Sequence, residues 1–287
     1  MLWSLLFITL IGRSTQQDPV TSSGCSPGWE TIKLDDKVAF QSSVYTDQRG
    51  VPYTADRAFD GNYSTCSATV YETITWWTVD LLGLYEISCI SIYNINQSNT
   101  DLRDACILIG NSSERNAADT TECATINTTT RGENKTFNCE NGPKWGRYVT
   151  VYKNTYGPLI LCEVTMKGRE KESPLKLIKE KKTWADARYH CREEHMDLVS
   201  ILDNETQVWV GLEAQKADTP FVWLGLQYIC GFDFWIWVND QCVFFDQWAP
   251  DDTRTAVCGM NAAMNKGGNH LWYKKSVYDK YNFICAV

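Results

Sequence analysis

The stretch ITWWTVDLL at residues 74–82 decides the fold of the first half of the chain. It is rich in β-branched and aromatic residues, and its apolar side chains occupy both faces, as in a strand inside a sandwich. Four more runs of this kind follow, separated by clusters of Asn, Gly, Ser and Thr, at residues 86–94, 105–111, 146–153 and 159–166. The first half of the chain therefore predicts an all-β domain.

The composition changes at the charged segment KGREKESP, which closes with a proline, and we place a linker at residues 169–174. Beyond it, Thr183 is a predicted N-cap of a helix with one apolar face, and a second helix is predicted over residues 204–213. The later runs WLGL, FDFWIWVND and CVFFDQW predict strands, with a hairpin turn at Asn239 and Asp240. The second half is therefore α+β.

Composition and missing motifs narrow the function. The chain has 287 residues, enough for two domains, and its net charge of -8 makes nucleic acid a poor partner. Twelve cysteines without a C-x-x-C pair indicate disulfides rather than a zinc site. His190 and His195, spaced i, i+5, do not share a helix face as zinc ligands would, and we interpret them as an exposed structural pair. Because G-x-S-x-G, Walker A and G-x-G-x-x-G motifs are also absent, we predict that the protein is not an enzyme.

The N-terminal sequence indicates the compartment. An uncharged apolar run, LWSLLFITLIG, occupies residues 2–12 and resembles the core of a signal peptide. Eleven residues at about 1.5 Å each reach only about half of a ~30 Å bilayer core, so no membrane span is expected. We predict a signal peptide at residues 1–15, a tail at residues 16–24 and a secreted, extracellular protein. Six glycosylation sequons agree with secretion: Asn62, Asn96, Asn111, Asn127, Asn134 and Asn204.

The segment ADRAFDGN, residues 55–62, places Asp60 in a glycine turn where carbonyl oxygens can converge on a hard cation such as calcium. Together with KVAFQSSVY, WWTVDLL, ISIYN, ILIGNS, GRYVTVYK and LCEV, it resembles the F-type lectin (fucolectin) domain, a discoidin-like jelly-roll sandwich, over residues 25–168. The resemblance implies a structural Ca²⁺ in this domain. Its ligands would be the carbonyls of Arg57, Asn62 and Cys162, the carboxylates of Asp60 and Glu163, and Thr65.

The sugar site of that family is altered here. F-type lectins bind fucose through a histidine, two basic residues and an aspartate, and these positions fall on Ala68, Ile95, Gln97 and Leu102. None carries the family's donor, although a one-residue register shift would bring Arg103 towards the last position. The sequon at Asn96 would also place a glycan over the site. Fucose recognition of the family type is therefore not expected.

Residues 175–287 resemble a C-type lectin-like domain through the runs KTWADARYHCREEHMDLVSI, WLGL, WVND, FFDQWAP, CGM and NFICA. In sugar-binding members, two triplets of oxygen-bearing residues bind calcium, and they fall here on residues 252–254 and 272–274. Arg254 and Lys274 stand where ligands are needed and would repel Ca²⁺. The resemblance therefore implies that the domain keeps the C-type lectin-like fold but has lost this calcium site. Many members of the family with this fold bind proteins instead of sugars.

The two resemblances also imply three disulfides, Cys66–Cys162, Cys123–Cys139 and Cys191–Cys285. Six cysteines are left with fifteen possible pairings: Cys25, Cys89, Cys106, Cys230, Cys242 and Cys258. Cys89 and Cys106 fall in strands that could be neighbours, and a bridge between them is our hypothesis.

Two functions stay open at this point. The first, which we favour, is a secreted, calcium-dependent lectin-like protein, with a role in innate defence, that binds glycans or glycoproteins. Its sugar contacts would come from the altered loops at residues 67–72 and 94–103. The second is a sugar-blind module that binds a protein ligand with the same two scaffolds, since both family sugar motifs are replaced.

Overall fold

The computed structural model describes residues 25, 28–98, 100–113, 117, 119–127, 131–250, 252 and 257–287. The predicted signal peptide and tail, residues 1–15 and 16–24, lie outside this part. An all-β domain is followed by an α+β domain, and the predicted fold class is confirmed. No described helix is long and apolar enough to cross a membrane.

The first domain is a sandwich of short strands around one long strand. Its elements are β1 (Glu30–Thr31), β2 (Val38–Gln41), a 3₁₀ turn (Ala55–Ala58), β3 (Ser67–Ala68), β4 (Thr75–Tyr93), β5 (Ala105–Gly110), β6 (Thr121–Thr125), β7 (Asn134–Asn138), β8 (Lys144–Lys153), β9 (Ile160–Leu161) and β10 (Glu163–Glu170). The main sheet has the order β1-β10-β4-β8-β5-β6, and β2 and β7 also pair with β4. β3 and β9 pair with each other beside it.

Strand β4 joins the two runs that the sequence predicts as separate strands. Its residues 75–80 pair with β2 and β8, and its residues 85–93 pair with β8, β10 and β7. The partner strands of β4 change at an irregularity in the pairing between Asp80 and Tyr85, where Leu82 has a φ of 55°. Arg147 holds Asp80 there through two hydrogen bonds of 2.7 Å. Apolar residues on both faces of β4 are buried, as the sequence predicts.

The second domain packs two helices against a sheet. Its elements are β11 (Leu175–Lys182), α1 (Trp184–Glu194), β12 (Asp197–Leu198), α2 (Asn204–Gln215), β13 (Phe221–Ile229), β14 (Phe234–Trp237), β15 (Met260–Asn265), β16 (Trp272–Ser276) and β17 (Tyr281–Ala286). The sheet order is β11-β17-β13-β15-β16, with β12 on β17 and β14 on β13. Thr183 caps α1 by accepting a hydrogen bond from the amide of Asp186, as predicted.

Three sequence expectations need correction. The run CVFFDQW forms isolated bridges at Cys242 and Trp248 instead of a strand, because the chain there packs aromatic side chains on the core without a continuous partner strand. Strand β10 continues to Glu170, so the connection between domains is shorter than predicted. His190 and His195 are half-buried rather than exposed, since the ring of His190 packs edge-on against Phe283 at 5.3 Å.

The two domains touch through a small apolar and charged contact. Leu84, in the irregular part of β4, packs with Trp209 and Leu212 of α2. The ammonium of Lys171 lies 5.9 Å from the centre of the Trp209 ring and pairs with Glu205. The connection between the domains is therefore anchored on both sides.

Five disulfides are present in the described residues. Three are the pairs that the resemblances imply, Cys66–Cys162, Cys123–Cys139 and Cys191–Cys285. The others are Cys25–Cys89 and Cys230–Cys258. The hypothesis of a Cys89–Cys106 bridge is wrong because β8 lies between β4 and β5 and keeps the two cysteines apart. Cys106 and Cys242 are unpaired in this part of the chain.

Alkylation without reductant should distinguish the two unpaired cysteines. Cys242 is exposed and is expected to react in the native protein, whereas Cys106 is half-buried against Thr125 and should react only after denaturation. Peptide mass spectrometry of the native and denatured samples measures both. If neither cysteine reacts after denaturation without reductant, the assignment of free thiols is refuted.

Candidate calcium and carbohydrate site

The loop after the 3₁₀ turn brings oxygen atoms together around Asp60. One oxygen of the Asp60 carboxylate accepts a 2.9 Å hydrogen bond from the backbone amide of Asn62. The other accepts a 2.6 Å hydrogen bond from the hydroxyl of Thr65, which also lies 2.9 Å from the carbonyl of Asn62. The tight turn needs Gly61 with a φ of 74°, a conformation that glycine adopts without strain. Trp77 anchors the preceding turn by donating to the carbonyl of Ala55 at 2.9 Å.

Glu163 faces this loop from the first position of β10. Only 7% of its surface is exposed, and its Oε2 atom is buried with no hydrogen-bond partner in the described structure. Burial and the neighbouring charge of Asp60 raise the pKa of Glu163 to about 7, against a lowering effect of a hydrogen bond from the Gly61 backbone. Burying a carboxylate oxygen without a hydrogen-bond partner costs free energy. A positive charge at this site would offset that cost.

The donors at this loop fit a hard cation. No cluster of three or more His, Cys, Asp and Glu side chains suited to a metal occurs in the described residues. A cation here would therefore depend on the two carboxylates, the Thr65 hydroxyl and backbone carbonyls, the oxygen donors that calcium prefers. Asn62 could still carry a glycan, because its predicted ligand atom is the backbone carbonyl and its side chain is exposed.

A cavity of about 540 Å³ opens beside the loop. It is lined by Tyr45, Tyr53, Arg57, Ser64, Thr65, Cys66, Ala68, Thr69, Tyr71, Ile95, Gln97, Pro158 and Ile160. Three of the five predicted sugar-site positions are thus brought together. Leu102 is not, because it is fully buried in the core, and Arg103 is not, because its side chain is 63% exposed and paired with Asp101 at 2.9 Å.

Tyrosine rings form much of the wall of this cavity. Tyr45 and Tyr53 contact edge to face, with their centroids 5.5 Å apart, and Tyr71 lies 6.1 Å from Tyr156 at the rim. Gln41 fixes the wall behind them by donating to three carbonyls, including those of Tyr53 and Ala68. Sequence reasoning missed these tyrosines because they are scattered along the chain. The available signal was their position on the loops that flank ADRAFDGN.

The calcium positions of the second domain are arranged differently. Asp252 accepts a 2.9 Å hydrogen bond from the backbone amide of Lys274 and pairs with its ammonium at 3.2 Å. Trp272 is fully buried in the core. Thr253 and Arg254, which complete the first triplet, lie outside the described residues. Both carboxylate oxygens of Asp252 therefore interact with Lys274.

The six sequons lie at different depths. Asn111 is half-buried, and its side-chain oxygen is enclosed without a hydrogen-bond partner in the described structure. The others are exposed, namely Asn62, Asn96, Asn127, Asn134 and Asn204. Asn96 lies next to the cavity residues Ile95 and Gln97, where an attached glycan would reach the rim.

Comparison with known proteins adds independent support for both domains. A family model described as a NedA-like, galactose-binding domain matches residues 57–151, and the C-type lectin domain model matches residues 180–287. Fucolectin-5 of Anguilla japonica is 40% identical over 116 residues, which cover 40% of this chain and 61% of that protein. Fucolectin-2 of the same species is 36% identical over 142 residues, which cover 47% of this chain and 77% of that protein.

A solved structure is also similar, the f-lectin (fucolectin) from the serum of the striped bass, Morone saxatilis. It has 30% sequence identity and a TM-score of 0.44, and covers 53% of this chain and 55% of its own. A domain similar to the fucolectins, followed by a domain that matches the C-type lectin model, defines a two-domain protein of the lectin class. The chain belongs to the fucolectin family through its first domain. The chain spans less than two thirds of the length of fucolectin-5.

Proposed function

We propose that the protein is a secreted lectin whose first domain binds carbohydrate in the tyrosine-walled cavity. The observation that carries this proposal is the cavity itself, a concave site of about 540 Å³ between the loops at residues 67–72 and 94–103. Aromatic rings offer flat apolar faces to the C–H groups of a sugar, and neighbouring hydroxyl and amide groups can bind its hydroxyls. The disulfides support an extracellular location.

The ligand of this cavity differs from that of the family type. The positions of the family's donors are occupied here by Ala68, Ile95 and Gln97, and only Gln97 can donate a hydrogen bond. Losing a hydrogen bond to a charged donor costs about 1.5–3 kcal/mol, so losing several removes useful monosaccharide affinity. Binding must then come from the tyrosines and from polar groups that are particular to this chain.

We propose further that calcium binds at the loop beside the cavity. Asp60, Glu163 and Thr65 would hold it with the carbonyls of Arg57, Asn62 and Cys162. The cation would supply the positive charge that the orphaned Glu163 oxygen lacks, and it would tie the Asp60 loop to β10. Because Thr65 belongs both to this set and to the cavity wall, calcium would also fix one wall of the cavity.

A protein-binding role is a second candidate, and it concerns the second domain. Lys274 occupies the carboxylate of Asp252, which leaves no free acidic ligand at that described position. Phe232 and Phe244 are 78% and 91% exposed on the same domain, and exposed aromatic side chains are frequent in protein interfaces. The second domain would then contribute a protein contact rather than a sugar site.

A glycan array with the secreted full chain tests the main proposal, run in calcium and again with a chelator. We expect binding in calcium and a loss of binding on chelation. Replacing Tyr71 by Ala should weaken binding about 2–10-fold through the loss of ring contact. Tyr278→Ala is the matched control, because Tyr278 is an 82% exposed tyrosine on the second domain. Absence of binding to any glycan in calcium would refute the lectin proposal.

A further inference from the structure

Arg57 is the single charged side chain among the described residues that line the cavity. Its guanidinium carbon lies 4.9 Å from the centre of the Tyr53 ring, which is also part of the wall. Within the described residues, the Arg57 side chain makes no ion pair with a carboxylate. Guanidinium groups in proteins are stabilised by stacking on aromatic rings, which also restricts their orientation. The ring therefore holds a cationic group at the cavity without neutralising it.

This arrangement suits one class of ligand. A guanidinium presents parallel N–H donors that match the two oxygens of a carboxylate, and such paired hydrogen bonds are stronger than those between neutral groups. A cationic ligand would be repelled, and a neutral sugar would accept only single hydrogen bonds at its hydroxyls, which are weaker than the paired bonds to a carboxylate. Ser64 and Gln97 line the same cavity and offer a hydroxyl and an amide for further contacts with sugar hydroxyls.

We infer that the cavity selects a sugar that carries a carboxylate, which pairs with the guanidinium of Arg57 while the ring of the sugar packs on the tyrosines. This inference rests on the proposed carbohydrate function of the cavity. The charge of Asp60, which hydrogen-bonds to Thr65 in the wall, opposes an anionic ligand when no cation is bound. Binding is therefore measured in the presence of calcium.

The test compares lactose with sialyllactose, its carboxylate-bearing counterpart, on immobilised full-length protein. We expect sialyllactose to bind at least about tenfold more tightly, as one charge-assisted hydrogen bond provides. Arg57→Gln should reduce the ratio of the two affinities towards one. Arg57→Lys should retain part of the preference, because lysine keeps the positive charge but lacks the two parallel N–H donors. Arg49→Gln is the matched control, since Arg49 pairs with Asp47 on an exposed turn and does not line the cavity.

The outcomes separate the two proposals. Equal affinity for lactose and sialyllactose, unaffected by Arg57→Gln, would overturn the inference and leave the lectin function intact. Failure of both sugars and of every other glycan would overturn the lectin function itself. A preference for sulfated lactose over sialyllactose would also contradict the assignment of a carboxylate. Thermal unfolding of Arg57→Gln, with and without calcium, excludes misfolding, because Arg57 would contribute only its backbone carbonyl to the metal.

Discussion

Replacing Glu163 with glutamine is expected to stabilise the calcium-free protein at pH 8 and to abolish its stabilisation by calcium. At that pH, the Glu163 carboxylate is ionised, buried and unpartnered at Oε2, beside a second carboxylate at Asp60. The amide removes this charge. At about 1.4 kcal/mol per pKa unit, a pKa raised from 4.5 to about 7 corresponds to about 3.4 kcal/mol, and because solvent screens part of this effect we expect a stabilisation of about 2–3 kcal/mol. For a domain of this size, the melting temperature should rise by roughly 5–10 °C.

Calcium should largely remove this difference in stability between the two proteins. A cation present at a hundredfold excess over its dissociation constant stabilises the folded state by about 2.7 kcal/mol. Wild type should gain this amount, whereas Glu163→Gln, which has lost a charged ligand, should gain little. Differential scanning calorimetry of both proteins in calcium and in chelator measures the four values. Glu140→Gln is the control, because Glu140 is an exposed glutamate of the same domain. Equal calcium shifts in all three proteins would refute the calcium site.

The same carboxylate predicts the pH dependence of the chelated protein. The folded-state pKa of Glu163 lies above its ordinary value, so the folded state binds more protons than the unfolded state between pH 4.5 and about 7. Stability contributed by this group is therefore present below pH 4.5 and is lost as the pH rises through 7. The Glu163→Gln variant should not show this loss of stability as the pH rises through 7. In calcium, the direction should reverse, because protons and the cation compete for the carboxylate.

The architecture of the sandwich was accessible from sequence because apolar residues occupy both faces of its inner strands. The continuity of β4 was not accessible, because Gly83 and Leu84 look like a turn between two strands. In the structure, the chain crosses this point through an irregularity instead. Pairing with β8 on both sides of the irregularity keeps the two halves in one strand. Such pairing joins residues that are 57 to 78 positions apart, and local sequence patterns do not record it.

The candidate site shows the same limit. The sequence located Asp60 and Glu163 through resemblance to a family, and the structure places them as neighbours. The sequence did not predict that Leu102 is a core residue, since its burial depends on tertiary packing. The aromatic cavity wall was also missed, because each tyrosine by itself is typical of a strand or a turn. The disulfide pairing of Cys89 was also missed, because it depends on the order of the strands in the sheet.

Removal of the disulfide Cys66–Cys162 is the other change that is expected to affect stability strongly. The disulfide joins two segments 96 residues apart in sequence, next to the site. The adjacent ladder between β3 and β9 contains the pairs Ser67↔Leu161 and Ala68↔Ile160, and Thr69 and Leu159 are joined by hydrogen bonds just beyond it. Closing a loop of this length in the unfolded chain corresponds to about 4–5 kcal/mol in the chain-entropy model. Replacing both cysteines by serine should lower the melting temperature of the first domain by roughly 15 °C.

Cys106→Ser is the control for this double substitution, because Cys106 is a half-buried, unpaired cysteine of the same domain. Calorimetry should show a small change for the control and a large one for the double variant. Since Cys66 lines the cavity and Cys162 precedes Glu163, the double variant should also bind calcium and sialyllactose more weakly at temperatures where it remains folded. A melting temperature equal to that of Cys106→Ser would show that the bridge does not hold these segments together. Loss of stability with unchanged binding would show that the hydrogen bonds between these segments keep the site in place without the disulfide.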